Sequence, residues 1–416
     1  MHRPKPQRRR IAMHNAKGGR KPMTGKQFPA QWSVLQDDAT GVQITRLTNY
    51  RAHSNHLYFT NNAWYDGGSK MVFQSDRDNA GNLFSIDLKN GTIVQLTDLD
   101  ISPDELDELQ YSHVDPNTNR LYYRYHGAIY ETDLHTLAVR KVYTAFDGCQ
   151  MDWFGYTADS KRLIVCENQD SGVTMKEGYR GFRELFLARP LSHVRSVDLA
   201  TLQVRTLHSE RCWLRHVNPS PTLPGIATFC HEGPWELVDN RIWGIDLDTG
   251  RTWPLRQRQS NEMTGHEYWF ADGIHVAYEC HKLTDGVRHR YFGVVRYDDT
   301  RICEVDFSKE AAQFAGANQI SHLHSNDLSL IVGDGNRDGN VLRLWQYNGT
   351  DFDAPRVLCR HRCSFHMQRT HGHPRITPDG KSVLFTNDEN GYGNLYLVRL
   401  PERIDSLPAV ESFFNS

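Results

Sequence analysis

Several common signatures of fold and compartment are missing from this chain of 416 residues. Its eight cysteines follow neither a disulfide framework nor paired zinc-finger spacing, which predicts reduced cytosolic thiols. No apolar run is long enough to span a bilayer, which argues against a membrane-spanning helix. Neither sign of charge is in excess, because 48 Lys and Arg face 50 Asp and Glu. The composition therefore predicts no nucleic-acid partner and no membrane partner.

Familiar motifs for nucleophiles and nucleotides are absent as well. The sequence contains no G-x-S-x-G, which excludes the propeller of a serine peptidase with its hydrolase domain attached. It contains neither a P-loop nor a G-x-G-x-x-G, so no phosphate-binding or dinucleotide-binding loop is predicted. Any chemistry must come from other residue types.

The N-terminal segment is basic and polar. Arg8, Arg9 and Arg10 are not followed by an apolar stretch, which excludes a secretory or twin-arginine signal. We expect residues 1–30 to form a disordered tail on a cytoplasmic protein. Residues 31–405 are then a single catalytic domain, and residues 406–416 a C-terminal tail.

One pattern of turns and apolar strands recurs along most of the chain. The clearest copy spans residues 66–97 and the last copy spans residues 379–398. Each has a turn rich in Asp, Asn and Gly, an apolar strand, a second turn and another apolar strand; in the clearest copy that strand ends in Asp-Leu and a fourth strand follows. Weaker copies begin near Asp115, Asp159, Pro219, Asp272 and Asp327. Seven units at a period of roughly 40–50 residues are typical of a β-propeller with four antiparallel strands per blade.

The fold class predicted is therefore all-β, a seven-bladed β-propeller. The last copy has only three strands, and residues 43–48 match the fourth strand of a blade. We therefore predict that an N-terminal strand completes the last blade and closes the ring. Residues 169–190 form an insertion in the third blade, which either covers one mouth of the channel or is an ordinary long loop.

Histidines and other polar residues recur where one unit gives way to the next. In residues 368–374, if the chain runs as a strand, His371 and His373 share a face and Gln368 lies close by. Two imidazoles and an amide oxygen make a partial metal site, and residues 321–326 offer a further imidazole. Since the chain has 21 histidines, a surface H-x-H is the alternative. The other junction residues are His53, His56, His113, His231, Arg241, His266, His322 and His324.

Five segments taken together resemble the oligogalacturonate lyases, cytoplasmic seven-bladed propellers that degrade short pectin fragments. The resemblance covers residues 41–400. The segments are HLYFTN at 56–61, GHEYW at 265–269, SHLHSN at 321–326, VGDG at 332–335 and Q-x-x-H-x-H-P at 368–374.

The resemblance implies a Mn²⁺ ion bound by three histidines and a glutamine. His324 is the main rival for the first histidine position, because it lies two residues further along the same strand. The family's proposed base falls on His266, for which the alternative is a structural histidine in its turn. An assisting arginine falls on Arg241, for which the alternative is a salt bridge to a neighbouring carboxylate. The implied metal ligands are His322, Gln368, His371 and His373.

The implied reaction is β-elimination of short galacturonides, namely digalacturonate and unsaturated digalacturonate, giving 5-keto-4-deoxyuronate. Two other functions remain open: a metal-dependent lyase on another uronate oligosaccharide, and a non-enzymatic propeller that binds ligands through exposed aromatic residues. The short segment between Gly335 and Gln368, the extra His324 and the basic tail depart from the family, so substrate length and linkage stay open. The sequence does not indicate an oligomeric state.

Overall fold

The computed structural model describes residues 23–175, 180–306, 320–335 and 340–415. In these ranges the strands form seven antiparallel sheets that follow one another along the chain. This confirms the predicted seven-bladed β-propeller. The basic segment up to residue 22 lies outside the described residues, so the prediction of a disordered tail stays a prediction.

The strands up to the end of the second blade are β1 (Gln27–Phe28), β2 (Ser33–Gln36), β3 (Gln43–Arg46), β4 (Ser54–His56), β5 (Trp64–Tyr65), β6 (Lys70–Ser75), β7 (Asn82–Asp87), β8 (Ile93–Gln95), β9 (His113–Asp115), β10 (Arg120–Tyr125), β11 (Ala128–Asp133) and β12 (Val139–Thr144). The third, fourth and fifth blades contain β13 (Cys149–Tyr156), β14 (Arg162–Gln169), β15 (Leu191–Asp198), β16 (Val204–Arg211), β17 (Leu214–Pro219), β18 (Ile226–His231), β19 (Ile242–Asp246), β20 (Thr252–Pro254), β21 (Glu262–Trp269), β22 (His275–Thr284), β23 (Val287–Arg296) and β24 (Arg301–Asp306).

The remaining strands are β25 (Ile320–His324), β26 (Leu330–Gly335), β27 (Val341–Gln346), β28 (Arg356–Arg360), β29 (Arg375–Ile376), β30 (Ser382–Asn387) and β31 (Asn394–Arg399). Short 3₁₀ helices occur at Arg77–Asn79, Pro103–Tyr111, Gln368–Thr370 and Ile404–Ser406, and α-helices at Phe182–Ala188 and Val410–Asn415. In the described residues no helix combines the length and the apolar character that crossing a membrane requires.

The second to sixth blades each consist of four consecutive strands, from β9–β12 to β25–β28. The first blade contains β4, β6, β7 and β8, with β1 added at its outer edge and β5 paired with β6. The last blade takes strands from both ends of the described chain, in the order β2-β3-β31-β30-β29. In it, Ile44 lies opposite Val398 and Arg46 opposite Tyr396.

The repeated aspartate at the end of a strand shapes the turn that follows it. The Oδ1 atoms of these aspartates accept hydrogen bonds from the backbone amides two and three residues later, at 2.7–3.2 Å. Such side-chain bonds mimic a backbone turn, which explains why the pattern carries Asp at this place. The four aspartates are Asp87, Asp133, Asp198 and Asp246.

The hydrophobic core lies between neighbouring sheets. One cluster joins Leu342 and Leu358 of the sixth blade to Val383 and Tyr396 of the seventh. Each of these side chains is at most 2% exposed, and burying an aliphatic side chain of this size stabilises the fold by about 1.5–3 kcal/mol. Because each blade buries its faces on its neighbours, the channel mouth is left for polar residues.

Candidate metal centre and active-site cavity

A cavity of about 1570 Å³ brings together residues that are distant in sequence. Its walls include Tyr58, Trp153 on β13, Arg215 on β17, His266 on β21 and His371 in the segment before β29. These residues come from the first, third, fourth, fifth and last blades. Convergence of this kind occurs at a channel mouth, where the inner strands and their loops meet.

The insertion between β14 and β15 borders this cavity. Val173, Thr174 and Met175 line it before the insertion's helix, and Phe182 and Leu185 line it from the helix itself. Residues 176–179 of the insertion lie outside the described residues. These lining residues favour the interpretation that the insertion lies at the mouth of the channel over the alternative of an ordinary long loop.

Three histidine side chains meet at the cavity wall. The candidate ligand atoms of His322, His371 and His373 all lie within 4.8 Å of one another. Burial lowers the pKa of each, with the neighbouring histidines adding to the shift at His322 and His373. The imidazoles are therefore neutral near pH 7, which is the form that binds a metal.

Gln368 reaches the same cluster. Its Nε2 atom lies 3.2 Å from Nε2 of His373, and rotation of the carboxamide brings its oxygen to that position. The prediction of a strand at His371 and His373 is wrong. Gln368–Thr370 forms a single 3₁₀ turn, and His371 after it has an extended backbone. His373 then adopts a left-handed φ of 42°. Irregular backbone, not strand alternation, brings His371 and His373 to one point.

His322 and His324 occupy different environments although they lie two residues apart on β25. The register of β25 shifts between Ile320 and Leu323, so strand alternation breaks there. His324 stacks on Tyr268, with ring centroids 5.4 Å apart, and its Nδ1 accepts a hydrogen bond from the amide of Ile376. The structure therefore places His322 in the cluster and gives His324 a packing role.

Asp334 on β26 holds the cluster from behind. Its fully buried carboxylate accepts hydrogen bonds from the backbone amide of His322 at 2.8 Å and from that of His373 at 3.2 Å. Its Oδ2 lies 2.9 Å from Nδ1 of His322. A proton on Nδ1 leaves Nε2 of His322 as the free lone pair, which is how second-shell carboxylates orient metal-binding histidines.

The donor set fits a divalent metal ion. Nδ1 of His371 is buried and has no hydrogen-bond partner among the described residues. A buried nitrogen without a partner is costly, and a bound ion would satisfy it. Three imidazoles and one amide oxygen suit Mn²⁺, Fe²⁺, Ni²⁺ or Zn²⁺.

His266 lies beside this cluster without belonging to it. Its ring centroid is 5.6 Å from that of His322, and its φ of 53° is left-handed because β21 has a bulge between Gly265 and Tyr268. Burial lowers the pKa of His266, but the Glu279 carboxylate outweighs that effect, so the pKa is raised. The ring lines the cavity and its side chain is 29% exposed.

Arg241 lines the cavity between two buried glutamates. Its Nη1 donates to Glu232 at 2.7 Å and its Nε donates to Glu267 at 3.0 Å. The guanidinium is 7% exposed and lies 5.9 Å from the Trp235 ring. Both contacts match the salt-bridge interpretation, which leaves only the remaining edge of the guanidinium to face a ligand.

Most of the other junction histidines pack within the protein. His113 packs against Phe154, with ring centroids 5.2 Å apart. His231 stacks on Trp243 and lies 3.0 Å from Glu210. His113 begins the first strand of its blade and His231 ends the second strand of its own, so these histidines occupy different blade positions and serve packing.

The sequence patterns did not reveal several residues of the cavity wall. Tyr58, Tyr111 and Trp153 form an aromatic floor, with ring centroids of Trp153 5.3 Å from Tyr58 and 4.6 Å from Tyr111. Arg215 lies over Trp153 and donates to Asp152 at 2.9 Å. Single aromatic residues and arginines carry no spacing signal, so only the folded arrangement identifies them.

Comparison with known proteins decides the family. A family model described as oligogalacturonate lyase matches residues 23–404. The chain belongs to the oligogalacturonate lyase family. An oligogalacturonide lyase of this family from Pectobacterium atrosepticum is 30% identical over 404 residues, which are 91% of this chain and 99% of the relative. The oligogalacturonate lyase of Dickeya dadantii is 29% identical over 408 residues, with the same coverage of both chains.

Solved structures of the family share the fold. An oligogalacturonate lyase in complex with manganese has a TM-score of 0.80 and 28% identity, covering 91% of this chain and 98% of its own. An oligogalacturonate lyase from Vibrio parahaemolyticus has a TM-score of 0.81 and 24% identity, covering 92% of this chain and 100% of its own. The family predicted from the sequence is thus confirmed.

Proposed function

We propose that this oligogalacturonate lyase family member cleaves short galacturonides by metal-assisted β-elimination. The observation that carries the proposal is a cluster of three neutral imidazoles at a cavity wall, with a separate imidazole, His266, beside it. The two parts suit two tasks, because one can hold a metal ion and the other can accept a proton. A binding module without catalysis would not need both.

We propose that His322, Gln368, His371 and His373 bind the ion. The solved relative in complex with manganese supports Mn²⁺ as the metal. When bound, a divalent ion supplies a positive charge for the substrate carboxylate next to C5, which makes the C5 proton more acidic. Gln368 needs only to rotate its carboxamide to contribute oxygen, the donor type that Mn²⁺ accepts beside imidazole.

His266 is the proposed general base. Its ring centroid lies 5.6 Å from that of His322, which supports a role in taking the proton from the carbon next to the carboxylate that the metal site would hold. In the elimination the C5–H electrons form the C4=C5 double bond, the C4–O bond breaks, and the leaving oxygen takes a proton. From digalacturonate the products are galacturonate and a 4,5-unsaturated uronate, whereas unsaturated digalacturonate gives two unsaturated uronates. The unsaturated monosaccharide rearranges to 5-keto-4-deoxyuronate.

Arg241 and Arg215 contribute positive charge to the cavity in this proposal. Arg241 is bound on two sides by Glu232 and Glu267, so we assign it to holding the wall and to stabilising negative charge that develops nearby. Arg215 is 22% exposed over the aromatic floor, which suits a second uronate carboxylate whose sugar ring packs on Trp153. A preference for digalacturonate and unsaturated digalacturonate, and a cytoplasmic location, remain part of the proposal.

The test is an assay of purified protein with digalacturonate, with Mn²⁺ or with a chelator. We expect an α-keto product that depends on the metal. His266→Ala should lower product formation to a small residual rate while Mn²⁺ still binds, and His371→Ala should abolish both product formation and Mn²⁺ binding. His231→Ala is a matched control, because His231 is 8% exposed, lies 3.0 Å from Glu210 and is not among the residues that line the cavity.

Two results would contradict the proposal at different points. Absence of product from every oligogalacturonide tested would refute the substrate, and product from another uronate oligosaccharide would replace it. Full activity of His371→Ala would refute the metal site.

A further inference from the structure

Glu279 is a buried carboxylate with no role in the chemistry described above. It lies on β22 opposite Gly265, at the point where the bulge of β21 begins. It is 6% exposed, and its Oε1 lies 3.3 Å from Nδ1 of His266. Its Oε2 lies 4.0 Å from Nε2 of His281, on the same strand.

Nδ1 of His266 and Oε1 of Glu279 face each other, and within the described part of the chain both lack a hydrogen-bond partner. Nδ1 of His266 and Oε1 of Glu279 are both buried, and among the described residues neither has a partner that meets full hydrogen-bond geometry. At 3.3 Å, a small ring rotation gives both atoms a partner, provided that the proton sits on Nδ1. This arrangement selects one tautomer of His266, with its lone pair on Nε2.

The side chain of His266 lines the cavity and is 29% exposed, while its Nδ1 is buried. Fixing the proton on the buried Nδ1 leaves the lone pair on the other ring nitrogen, Nε2. A general base requires that arrangement, because only a lone pair that faces the substrate can accept its proton.

The packing around the pair limits other orientations of the ring. The Trp235 ring lies edge-on to His266 and to His281, at 5.6 and 5.4 Å between centroids. A Cβ atom on residue 265 would lie 2.4 Å from the Trp235 ring, so Gly265 is what lets this indole approach. Trp235 and the bulge thus hold His266 against Glu279.

We propose that Glu279 is a positioning residue: it accepts the Nδ1 proton of His266 and so presents Nε2 to the substrate. This inference rests on the proposed role of His266 as the general base. Glu279 does not touch the substrate or the reacting atoms in this arrangement. Its effect is exerted entirely through His266.

The test is a double-mutant cycle in the full-length, Mn²⁺-loaded protein. Glu279→Gln keeps the side-chain volume and removes the charge, and Glu279→Leu also removes the acceptor. For Glu279→Leu we expect kcat on digalacturonate to fall by about 10- to 100-fold, the usual effect of losing an orienting carboxylate, and for Glu279→Gln, whose amide oxygen can still accept the Nδ1 proton, we expect a smaller fall. KM and the Kd for Mn²⁺ should stay within about twofold, because neither carboxylate oxygen contacts a proposed metal ligand.

The decisive comparison is made in a His266→Ala background. If Glu279 acts through His266, Glu279→Leu should not lower the residual rate further. Glu131→Gln is the matched control, because Glu131 is also 6% exposed and pairs with Arg140 in the second blade. We expect its kcat to remain at the wild-type value.

Each outcome bears on one of the two proposals. An inactive wild-type protein refutes the proposed function and, with it, the base role on which this inference rests. An active wild type with unchanged kcat in folded Glu279→Leu overturns the positioning role. A fall in kcat that persists in the His266→Ala background, or that comes with an equal loss of Mn²⁺ affinity, overturns it too. If Glu279→Leu fails to fold, Glu279→Ala removes the same acceptor and decides the question.

Discussion

Replacing Asp334 by asparagine should weaken metal binding without removing a ligand. The carboxylate accepts hydrogen bonds from the backbone amides of His322 and His373 and from Nδ1 of His322. In Asp334→Asn one side-chain oxygen remains, and the other position becomes an NH₂ donor. That donor would face Nδ1 of His322 and the amide of His373, both of which need an acceptor.

The magnitude follows from the two contacts that would be lost. To avoid two donors facing each other, the proton of His322 must move from Nδ1 to Nε2. Nε2 then has no free lone pair for the metal. Loss of an orienting second-shell group typically costs 10–100-fold in affinity, or about 1.4–2.7 kcal/mol. The amide of His373 is left without a buried acceptor, which lowers the free energy of unfolding by about 1–3 kcal/mol.

The assay is a Mn²⁺ titration of metal-free protein by calorimetry, or by the electron paramagnetic resonance signal of free Mn²⁺, together with thermal melting. Asp115→Asn is the control, because Asp115 is equally buried. Among the described residues, the hydrogen bonds to its carboxylate come from Asn117 and Thr118 in its own turn. Wild-type Mn²⁺ affinity in folded Asp334→Asn would refute the reasoning. Equal weakening by Asp115→Asn would assign the effect to general destabilisation.

Three further predictions test other parts of the structure. His322→Ala should weaken Mn²⁺ binding at least 100-fold, whereas His324→Ala should leave Mn²⁺ affinity within about twofold and lower the melting temperature; the reverse result would exchange the two roles. In folded protein, Mn²⁺ at 100 times its Kd should raise the free energy of unfolding by about 2.7 kcal/mol, and an unchanged melting temperature would contradict a site formed only on folding. Burial raises the pKa of Glu262, but the contacts with Arg256, the amide of Gln259 and Lys282 together outweigh this and lower the pKa from 4.5 to about 2. Because the folded pKa is the lower one, this stabilisation is present above pH 4.5 and is lost as the pH falls towards 2. At pH 7 the free energy of unfolding of Glu262→Gln should therefore be about 1–3 kcal/mol lower than that of wild type, and this difference should narrow by pH 3. A difference in free energy that does not depend on pH would contradict the assignment.

The fold could be predicted because its information is local. Each blade repeats turn residues, apolar strands and a strand-ending aspartate such as Asp87 or Asp246, whose side chain caps the next turn. These features act within a few residues of one another, so they can be recognised without knowing the fold. The match of residues 43–48 to a fourth strand has the same basis, and β3 pairs with β31 in the last blade.

The candidate site could be predicted only in part. The motif resemblance named His322, Gln368, His371 and His373, and the structure brings all four to one point. Strand alternation was the wrong explanation for the His371–His373 pair, because a 3₁₀ turn and a left-handed His373 replace the predicted strand.

The sequence by itself determined which residue types are available and in what order: seven strand repeats, a set of histidines at the blade junctions, and the motifs that identify the family. Only the tertiary structure decided how these residues are used. The bulge in β25 separates His322 from His324, Asp334 and Glu279 approach from neighbouring strands, and Glu232 and Glu267 enclose Arg241. The physical reason is that side-chain direction at a bulge and contacts across strands depend on how the sheets pair and pack, which local sequence patterns do not specify.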